Sequence, residues 1–518
     1  MQTYPAPSSI ALAGTALAAM AVGLVLRDPT TTATGGALLV GLAIARLATQ
    51  LDVAGIRAAG FEMAWRGDAR RARVGRGEEV VLLAELRNRD ARAARFNGLR
   101  ATHSPELEVT LEYPAGEVPG GARLLVRVSV RGLRVGRHAI HGLSLELEGG
   151  PGLFEVPLTF ANPYGVLVLP GAARELMHSA RGGRSRRTAV QGRPGAFAGE
   201  GDSLRELREH QPGDPFRRIA WKASARRAQL LVRENEREER DVVWVLLDAS
   251  VELWSGPVGQ APLDIAIDEA ATVALRHFRR GDNVGLAIVG ARTLAFLEPG
   301  STPGHALALV NALADATSCL EPERSGLDEA DVAARVLEHL RPLDARAAGN
   351  LRVNELDRIA RRAERMIVAR ALFKHAAVAA ATRRERTLRS YLAAFGLGSP
   401  ARIEPDRPRT DAELARLLVR LGREKRRPSL VYLWSPTPDP ETRPALDRAL
   451  AGLPRRRFEL NWMGVRLDAG IAQGGTGVAR VVAETVSLRA QAAVRRGEHA
   501  LRRLGLRFGP ARHAPVRS

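Results

Sequence analysis

The sequence predicts a multi-domain fold: an N-terminal transmembrane helical hairpin, a β-sandwich, and a doubly wound α/β domain with a helical insertion. Two uncharged apolar segments open the chain, short strand-like runs follow them, and apolar strand patterns then alternate with helical ones. The predicted boundaries are 1–55 for the hairpin, 60–170 for the sandwich, 171–240 for a linker with a distinctive motif, and 241–518 for the α/β domain with its insertion at about 328–427.

The hairpin prediction rests on residues 10–26 and 30–45, which carry no charged side chain and approach the length of a bilayer span. A cleaved signal peptide is the alternative for the first segment, although no Lys or Arg precedes it. Arginines follow the second segment at Arg46, Arg57, Arg66, Arg70, Arg71, Arg73 and Arg76, whereas the turn between the segments has only Arg27. The positive-inside rule therefore predicts an inner-membrane anchor, a cytoplasmic soluble region and contact with anionic lipid.

The predicted sandwich consists of short alternating runs such as "EEVVLLAELRN", "RLLVRVSV" and "YGVLVLP", separated by Gly, Pro and Asn. Regular short strands broken by turn residues are typical of an antiparallel sandwich of the immunoglobulin-like type. The chain has one cysteine, Cys319, so no intramolecular disulfide closes this region.

The α/β prediction begins with "DVVWVLLDAS", a continuous apolar run that ends at Asp248 and Ser250, as a buried parallel strand does. Helical and strand patterns then alternate, and "SLVYLWS" resumes the strands after an Ala- and Arg-rich stretch at 328–427. We expect this stretch to be a helical insertion that stands on the α/β domain. Within it, Thr410 and Glu413 have the spacing of a capping box and predict a helix start.

Before the first α/β strand lies the signature segment, residues 206–239, which is rich in arginine and contains a Pro-Gly-Asp turn. It resembles the signature of the bacterial family called domain of unknown function 58, although His210 and Ala220 depart from the residues usual there. The resemblance is carried mainly by Arg208, Glu209, Pro212, Gly213, Asp214, Arg218, Trp221, Lys222, Ser224, Arg226, Arg233 and Glu234. It implies a membrane hairpin, a β-rich region, a von Willebrand factor A-like domain and association with MoxR-type AAA+ ATPases.

From its residues, the signature segment is interpreted as a structural brace or a protein interface. Asp214 can accept hydrogen bonds from turn amides, the arginines have acids nearby for pairing, and Trp221 is expected to be buried. Mixed charge within the segment and an aromatic content of 4% argue against a nucleic-acid surface.

A cation site is the one cofactor feature that the family resemblance implies. A-type domains use an Asp-x-Ser-x-Ser motif at a strand end to hold Mg²⁺, and the matching residues here are Asp248, Ser250 and Glu252. Glutamate replaces the last serine, and Pro436 stands where an aspartate is frequent. We predict a degenerate site without tight cation binding, in which Asp248 either shapes the loop by accepting amide hydrogen bonds or contacts a partner.

The expected function is that of a membrane-anchored cytoplasmic scaffold or adaptor, without catalytic residues or a cofactor. No phosphate-binding, metalloprotease or nucleophile-elbow motif occurs in the sequence. By resemblance, the partners are a MoxR-type AAA+ ATPase and other membrane proteins in the assembly or maturation of envelope complexes, with no nucleic acid and no small-molecule substrate. The alternative is a basic nucleic-acid-binding membrane protein, favoured by a net charge of +20 and the arginines of 181–193. A hydrolase is a third class, but no nucleophile–base pair supports it.

Overall fold

The computed structural model describes residues 3–67, 69–150, 152–174, 193–212, 214, 216, 219–227, 229–239, 241–374, 378–404, 406–424, 428–438, 443–452, 459–466 and 477–510. Backbone contacts divide the chain into two compact units. The β-rich unit consists of Met1–Val168 and Ser318–Arg402, and the α/β unit consists of Leu169–Thr317 and Ile403–Ser518.

The β-rich unit begins with two helices, α1 (Pro7–Leu26) and α2 (Pro29–Ala59), each long and apolar enough to cross a membrane. Asp28 begins α2, because its carboxylate accepts hydrogen bonds from the amides of Thr30 (3.0 Å) and Thr31 (3.3 Å). Gly23 and Gly35 let the two helices approach closely: a Cβ at either glycine would collide with the other helix.

Helix α2 continues without a break from its apolar half into the core of the β-rich unit. Its 31 residues correspond to about 46 Å, whereas the hydrocarbon core of a bilayer is about 30 Å thick. In the later turns Thr49, Val53 and Ile56 are buried, and Val53 and Ile56 belong to the apolar core of the strands that follow.

Two antiparallel sheets enclose that core, as the alternation of apolar and polar residues predicts. The four-stranded sheet has the order β2 (Phe61–Trp65), β4 (Glu79–Asn88), β8 (Arg123–Gly132), β6 (Leu107–Leu111). The seven-stranded sheet contains β1 (Tyr4–Pro5), β3 (Arg71–Gly75), β5 (Ala94–His103), β7 (Gly116–Val118), β9 (Gly136–Glu148), β10 (Phe154–Phe160) and β11 (Tyr164–Leu169).

The helices of residues 318–402 complete the β-rich unit, and this differs from the expected insertion on the α/β domain. They are α6 (Glu329–Leu343), α7 (Ala345–Ala348), α8 (Leu356–Arg370) and α9 (Arg383–Phe395). Their apolar faces form one cluster with Ala139 of β9 and Leu167 of β11, and Arg407 and the residues after it belong to the other unit. The predicted insertion, 328–427, is therefore divided between the two units.

The α/β unit contains a six-stranded sheet in the order β16, β15, β14, β17, β18, β19. These strands are β14 (Val242–Asp248), β15 (Asn283–Val289), β16 (Thr293–Gly300), β17 (Leu430–Ser435), β18 (Glu459–Gly464) and β19 (Arg507–Pro510), and β16 alone pairs antiparallel.

Helices cover this sheet on two faces. Helices α10 (Arg407–Arg423), α11 (Pro444–Ala451) and α12 (Val478–Arg503) bury leucines in one cluster with Leu433 of β17. On the opposite face α4 (Pro262–Arg279) contacts Tyr432 and Trp434 of the same strand through His277 and Glu269. The unit also includes α5 (Pro303–Asp315).

The signature segment forms a hairpin within the α/β unit. Strand β12 (Arg193–Glu209) pairs antiparallel with β13 (Leu231–Glu239), and the short helix α3 (Trp221–Arg227) lies between them in sequence. Ile219 and Ala220 are buried beside β13, where the amide of Ala220 donates to the carbonyl of Leu231 at 2.8 Å.

Candidate functional site: a cation cluster and a braced hairpin

The candidate site in the sheet lies where the strand order reverses direction. From β14 the chain adds β15 and β16 on one side, and later β17, β18 and β19 on the other. In open parallel sheets such a reversal leaves a crevice at the carboxyl ends of the two central strands, where ligands commonly bind. Asp248 is the last residue of β14, and Ser435 is the last residue of its neighbour β17.

The guanidinium group of Arg407, in the first turn of α10, lies among the oxygens of the predicted metal residues. Its Nη1 is 2.6 Å from Asp248 Oδ2, and its Nη2 donates to Ser250 Oγ at 2.8 Å and also to Glu252 Oε1. Ser435 donates its hydroxyl to the same Asp248 oxygen at 2.7 Å. The structure thus gathers all three predicted residues, around an arginine that the motif did not indicate.

A second arginine, Arg443, lies beside the first and is buried. Its Nη2 is 2.6 Å from Asp411 Oδ1, and its Nε is 3.0 Å from the same oxygen. It also donates to the carbonyl oxygen of Pro436, so the residue that replaces the expected aspartate takes part through its backbone.

The charges of this cluster explain why Asp248 is ionised although it is fully buried. Burial alone would raise the pKa of the Asp248 carboxyl, but the positive charges of Arg407 and Arg443 more than offset it and lower that pKa. Burial and the nearby Arg407 lower the pKa of Arg443, and Asp411 opposes that shift. The other oxygen of Asp248 accepts the amide of Ser250 at 3.0 Å, as the loop-shaping role predicts.

A divalent metal does not fit this arrangement while Arg407 is in place. Hard cations need the free lone pairs of several oxygens. The oxygens of Asp248, Ser250 and Glu252 instead accept hydrogen bonds from the guanidinium group. Within the described ranges, no group of three or more His, Cys, Asp or Glu side chains could hold a metal ion.

The second candidate feature is the hairpin of the signature segment, which an ion pair braces. Arg208 makes two parallel hydrogen bonds of 2.7 Å to the two carboxylate oxygens of Asp214. The bond to Arg208 is the largest effect that lowers the pKa of Asp214, and the amide of Gln211 adds a bond of 2.9 Å. Ser224 ties α3 to β13 by accepting from the amide of Leu231 at 2.9 Å.

The aromatic residues of this hairpin face solvent, which differs from the predicted burial of Trp221. Trp221 is 63% exposed and Phe216 is 75% exposed. Lys222 and Arg226 are exposed beside Trp221 on α3, as is Arg227. The exposed side chains in the described part of the signature segment thus include two aromatic and three basic ones, here together called the aromatic-basic surface: Phe216, Trp221, Lys222, Arg226 and Arg227.

The remaining signature residues lie along the strands and the turn of the hairpin or outside the described residues. Glu209 ends β12 and is exposed, and Pro212 lies in the turn. Gly213 and Arg218 lie outside the described residues. Arg233 and Glu234 belong to β13, where they pair in register with Leu207 and Glu206.

Comparison with known proteins finds similarity to proteins without an assigned function. The family model described as "Protein of unknown function DUF58" matches residues 206–390, about a third of the chain. Uncharacterised proteins of Mycobacterium tuberculosis and Mycobacterium bovis are each 28% identical over 100 residues, which is 19% of this chain. The matched stretch spans 32% of those relatives' length. The match includes the signature segment, Asp248, Ser250 and Glu252, whereas Arg407 and Arg443 lie beyond it.

Among solved structures, the similarities are local. The ASH/PapD-like domain of human CEP192 is 12% identical, with coverage of 21% of this chain and 86% of that domain, at a TM-score of 0.17. The Caenorhabditis elegans MSP family member WR4 is 5% identical over 21% of this chain and 96% of that one, at a TM-score of 0.15. At these scores neither bears on the fold. The conclusion from the comparisons is that residues 206–390 are similar to the family described as "Protein of unknown function DUF58".

Proposed function

We propose that the protein is a membrane-anchored cytoplasmic adaptor that binds a partner protein through the aromatic-basic surface of its signature segment. The observation that supports this is the exposure of Trp221 and Phe216 on a hairpin that Arg208 and Asp214 hold in shape. Large aromatic side chains on a rigid support are the residues that most often dominate the binding energy of protein interfaces.

The charge of the surface indicates what the partner presents. Lys222, Arg226 and Arg227 are exposed on α3, a helix whose sequence contains no acidic residue. An acidic, partly apolar surface complements this combination, since opposite charges speed association and the aromatic rings supply buried area. By its resemblance to the domain of unknown function 58 family, we propose a MoxR-type AAA+ ATPase as the partner, in the assembly or maturation of envelope complexes.

The rest of the proposal concerns architecture and location. We propose that α1 and α2 cross the inner membrane and that both soluble units lie in the cytoplasm, on the basis of their apolar length and the arginines that follow them. The β-rich unit is proposed to be immunoglobulin-like. The proposed von Willebrand factor A-like character of the α/β unit is supported by its strand order and its one antiparallel edge strand.

The proposed interface is tested by capture from membranes with variants of the full chain in detergent. Trp221→Ala and Phe216→Ala should leave the melting temperature unchanged, because both side chains face solvent, and should reduce recovery of a AAA+ ATPase by about tenfold or more. Ile403→Ala is the matched control: it removes an exposed apolar residue elsewhere in the same unit and should not affect capture.

Three outcomes would contradict this proposal. One is undiminished capture by both variants, and another is a large fall in melting temperature, which would return Trp221 to a packing role. The third is tight binding of duplex DNA with a steep salt dependence, lost in Trp221→Ala, which would instead support the nucleic-acid-binding alternative.

A further inference from the structure

We propose that helix α12 binds a surface of anionic lipid headgroups through a face that the α/β unit leaves exposed. Only the last turns of this helix pack on the unit. Leu501 is fully buried in the core cluster of the sheet, and Ala500 beside it is 7% exposed. Gly497 lets the helix approach the loop after β17, since a Cβ there would lie 3.0 Å from the Cβ of Thr437. These contacts fix the helix by its carboxyl-terminal half.

The first three turns of α12 carry their large apolar side chains in solvent. The exposed fractions range from 46% to 66% for the four side chains that the structure describes there: Val481, Val482, Val486 and Leu488. Side chains at these spacings lie toward one side of a helix. The amino-terminal half of α12 therefore presents an apolar face that is not used for packing on the sheet.

A row of arginines continues this face toward the end of the helix. Arg489, Arg496 and Arg503 are exposed and follow Val482 at intervals of seven residues, which is almost two turns each. At about 100° per residue, the buried Leu501 lies about 140° around the helix from Arg496. The row thus faces away from the core, with apolar side chains at one end and guanidinium groups along the rest.

An anionic lipid surface complements this face in both charge and shape. The sequence of α12 contains six arginines, two glutamates and no Phe, Trp or Tyr. Arg489 and Arg503 are about 21 Å apart along the helix axis. Lipid phosphates are available over any such distance, so the row needs no partner of matching spacing. Basic helices with an exposed aliphatic face bind at the boundary between headgroups and acyl chains.

This inference rests on the membrane location proposed above for α1 and α2, which brings the chain to the surface of a bilayer. We expect the valines of α12 to lie about 5–10 Å into the boundary region of the lipid. The arginines then lie at the level of the phosphates, which they reach through their flexible aliphatic stems. Such a contact would give the protein a second attachment to the membrane, sensitive to the lipid charge.

The test uses the full chain in nanodiscs of phosphatidylcholine, with or without phosphatidylglycerol. Val482→Cys is labelled with nitrobenzoxadiazole, a fluorophore whose emission rises and shifts to shorter wavelength in apolar surroundings. We expect this shift, with a gain in intensity of about twofold or more, in the anionic nanodiscs alone, together with quenching by spin-labelled lipid. Leu488→Cys supplies a second labelled position, and the wild type measures any labelling of the buried Cys319.

Two adjacent arginines provide the matched comparison in the labelled Val482→Cys chain. Arg496→Gln removes a charge from the row, whereas Arg495→Gln removes the same charge about 100° away around the helix. Arg496→Gln should reduce the gain in intensity by about half or more, and Arg495→Gln should change it much less. Both side chains are exposed, so the melting temperature in detergent should stay unchanged in both variants.

Four outcomes would overturn the proposal: no shift at either labelled position, an equal shift in neutral nanodiscs, equal losses in the two arginine variants, or a shift that spin-labelled lipid does not quench. The last outcome would assign the face to a protein partner. The proposed anchoring by α1 and α2 is judged separately, by whether alkaline carbonate extracts the chain from vesicles. A chain that resists extraction but shows no anionic signal keeps its membrane location and overturns this inference alone.

Discussion

Asp248 remains ionised without contact to solvent because two guanidinium groups surround it. Arg407 contacts it directly, and Arg443 lies 4.0 Å away at the limit of an ion pair. Asp248 therefore contributes stability at neutral pH that is lost as the pH falls through its depressed pKa. Removing either arginine would leave carboxylates buried with too little positive charge. Such a substitution strongly lowers the free energy of unfolding.

Two histidines of the β-rich unit are in the opposite situation, because the effect of burial on their pKa exceeds that of any nearby charge. His339 of α6 accepts or donates one hydrogen bond, to the Tyr391 hydroxyl at 2.8 Å, and its ring lies edge-on to His141 of β9 at 5.0 Å. Burial lowers the pKa of His339 to about 3 and that of His141 to about 4. The charges of Arg335 and His103 also lower the pKa of His141, whereas the charge of Glu106 raises it.

The β-rich unit should therefore lose stability as the pH falls below the pKa of an unfolded histidine, about 6.5. Between that value and about 4 the unfolded chain binds protons that the folded chain does not, so the free energy of unfolding decreases with falling pH. Each histidine adds a slope of about 1.4 kcal/mol per pH unit within its window. Thermal unfolding by circular dichroism from pH 7 to about 4.5 measures this slope.

The variant His339→Gln isolates the contribution of one ring. Glutamine can still hydrogen-bond the Tyr391 hydroxyl, but it does not titrate. The pH dependence of its melting temperature should be shallower than that of the wild type in the same window. Identical slopes in both proteins would contradict the assignment of this pH dependence to His339.

Helix α9 connects the helices of the β-rich unit to the loop that precedes them. Arg389 of α9 is 1% exposed, and it donates to the carbonyl oxygens of Leu320 (2.9 Å) and Leu327 (3.0 Å). Its Nε also donates to Glu385 at 2.9 Å, one turn earlier. One buried side chain thus satisfies two loop carbonyls and a carboxylate.

Arg389→Met should destabilise the β-rich unit by about 3–5 kcal/mol, because it leaves a carboxylate and two carbonyl groups buried without their partner. The measurement is the shift in the thermal unfolding transition of the full chain. Arg383→Ala is the control, since that arginine is on the same helix but is 86% exposed and should leave the transition nearly unchanged. Equal, small effects of both substitutions would show that Arg389 is not a structural link.

Helix α10 shows which parts of the site could be predicted from sequence. Asp248 and Ser250 were predictable because a continuous apolar run marks a buried strand and its end. Arg407 was not predictable, because it lies 159 residues after Asp248 in the chain. It also precedes Thr410, where the sequence predicted that the helix begins. The predicted capping box at Thr410 and Glu413 was wrong, because α10 begins at Arg407. The Thr410 hydroxyl donates to the carbonyl oxygen of Asp406, and the Glu413 carboxylate accepts from the Thr293 hydroxyl.

The exposure of Trp221 could not be predicted from the sequence for a different reason. Tryptophan is buried on average, so its position next to a sheet suggested packing. The hairpin β12–β13 is two-stranded, and α3 has only seven residues, so little structure is available to cover a large ring. The placement of the helices of 318–402 was also not predictable from their pattern, because an amphipathic face shows that a helix packs but not on which sheet.

Cysteine labelling tests the proposed cytoplasmic location of the two soluble units. The native Cys319 is 3% exposed, and burial raises the pKa of its thiol to about 11, so it should react slowly with maleimides. Arg95→Cys places a second thiol on β5, where the arginine side chain is 68% exposed. A membrane-impermeant maleimide should label this variant only after permeabilisation, and labelling in intact cells would reverse the proposed orientation.

The unbroken α2 helix has a mechanical consequence for a protein anchored in this way. Because Val53 and Ile56 are packed in the same core as the strands, the β-rich unit cannot swivel independently of the helix that carries it. A helix in a bilayer adjusts its tilt when the thickness of the lipid changes. If α2 crosses the membrane as proposed, each change in the tilt of α2 must turn the whole β-rich unit by the same angle. The lipid composition around α2 would then determine which face the β-rich unit turns toward the cytoplasm.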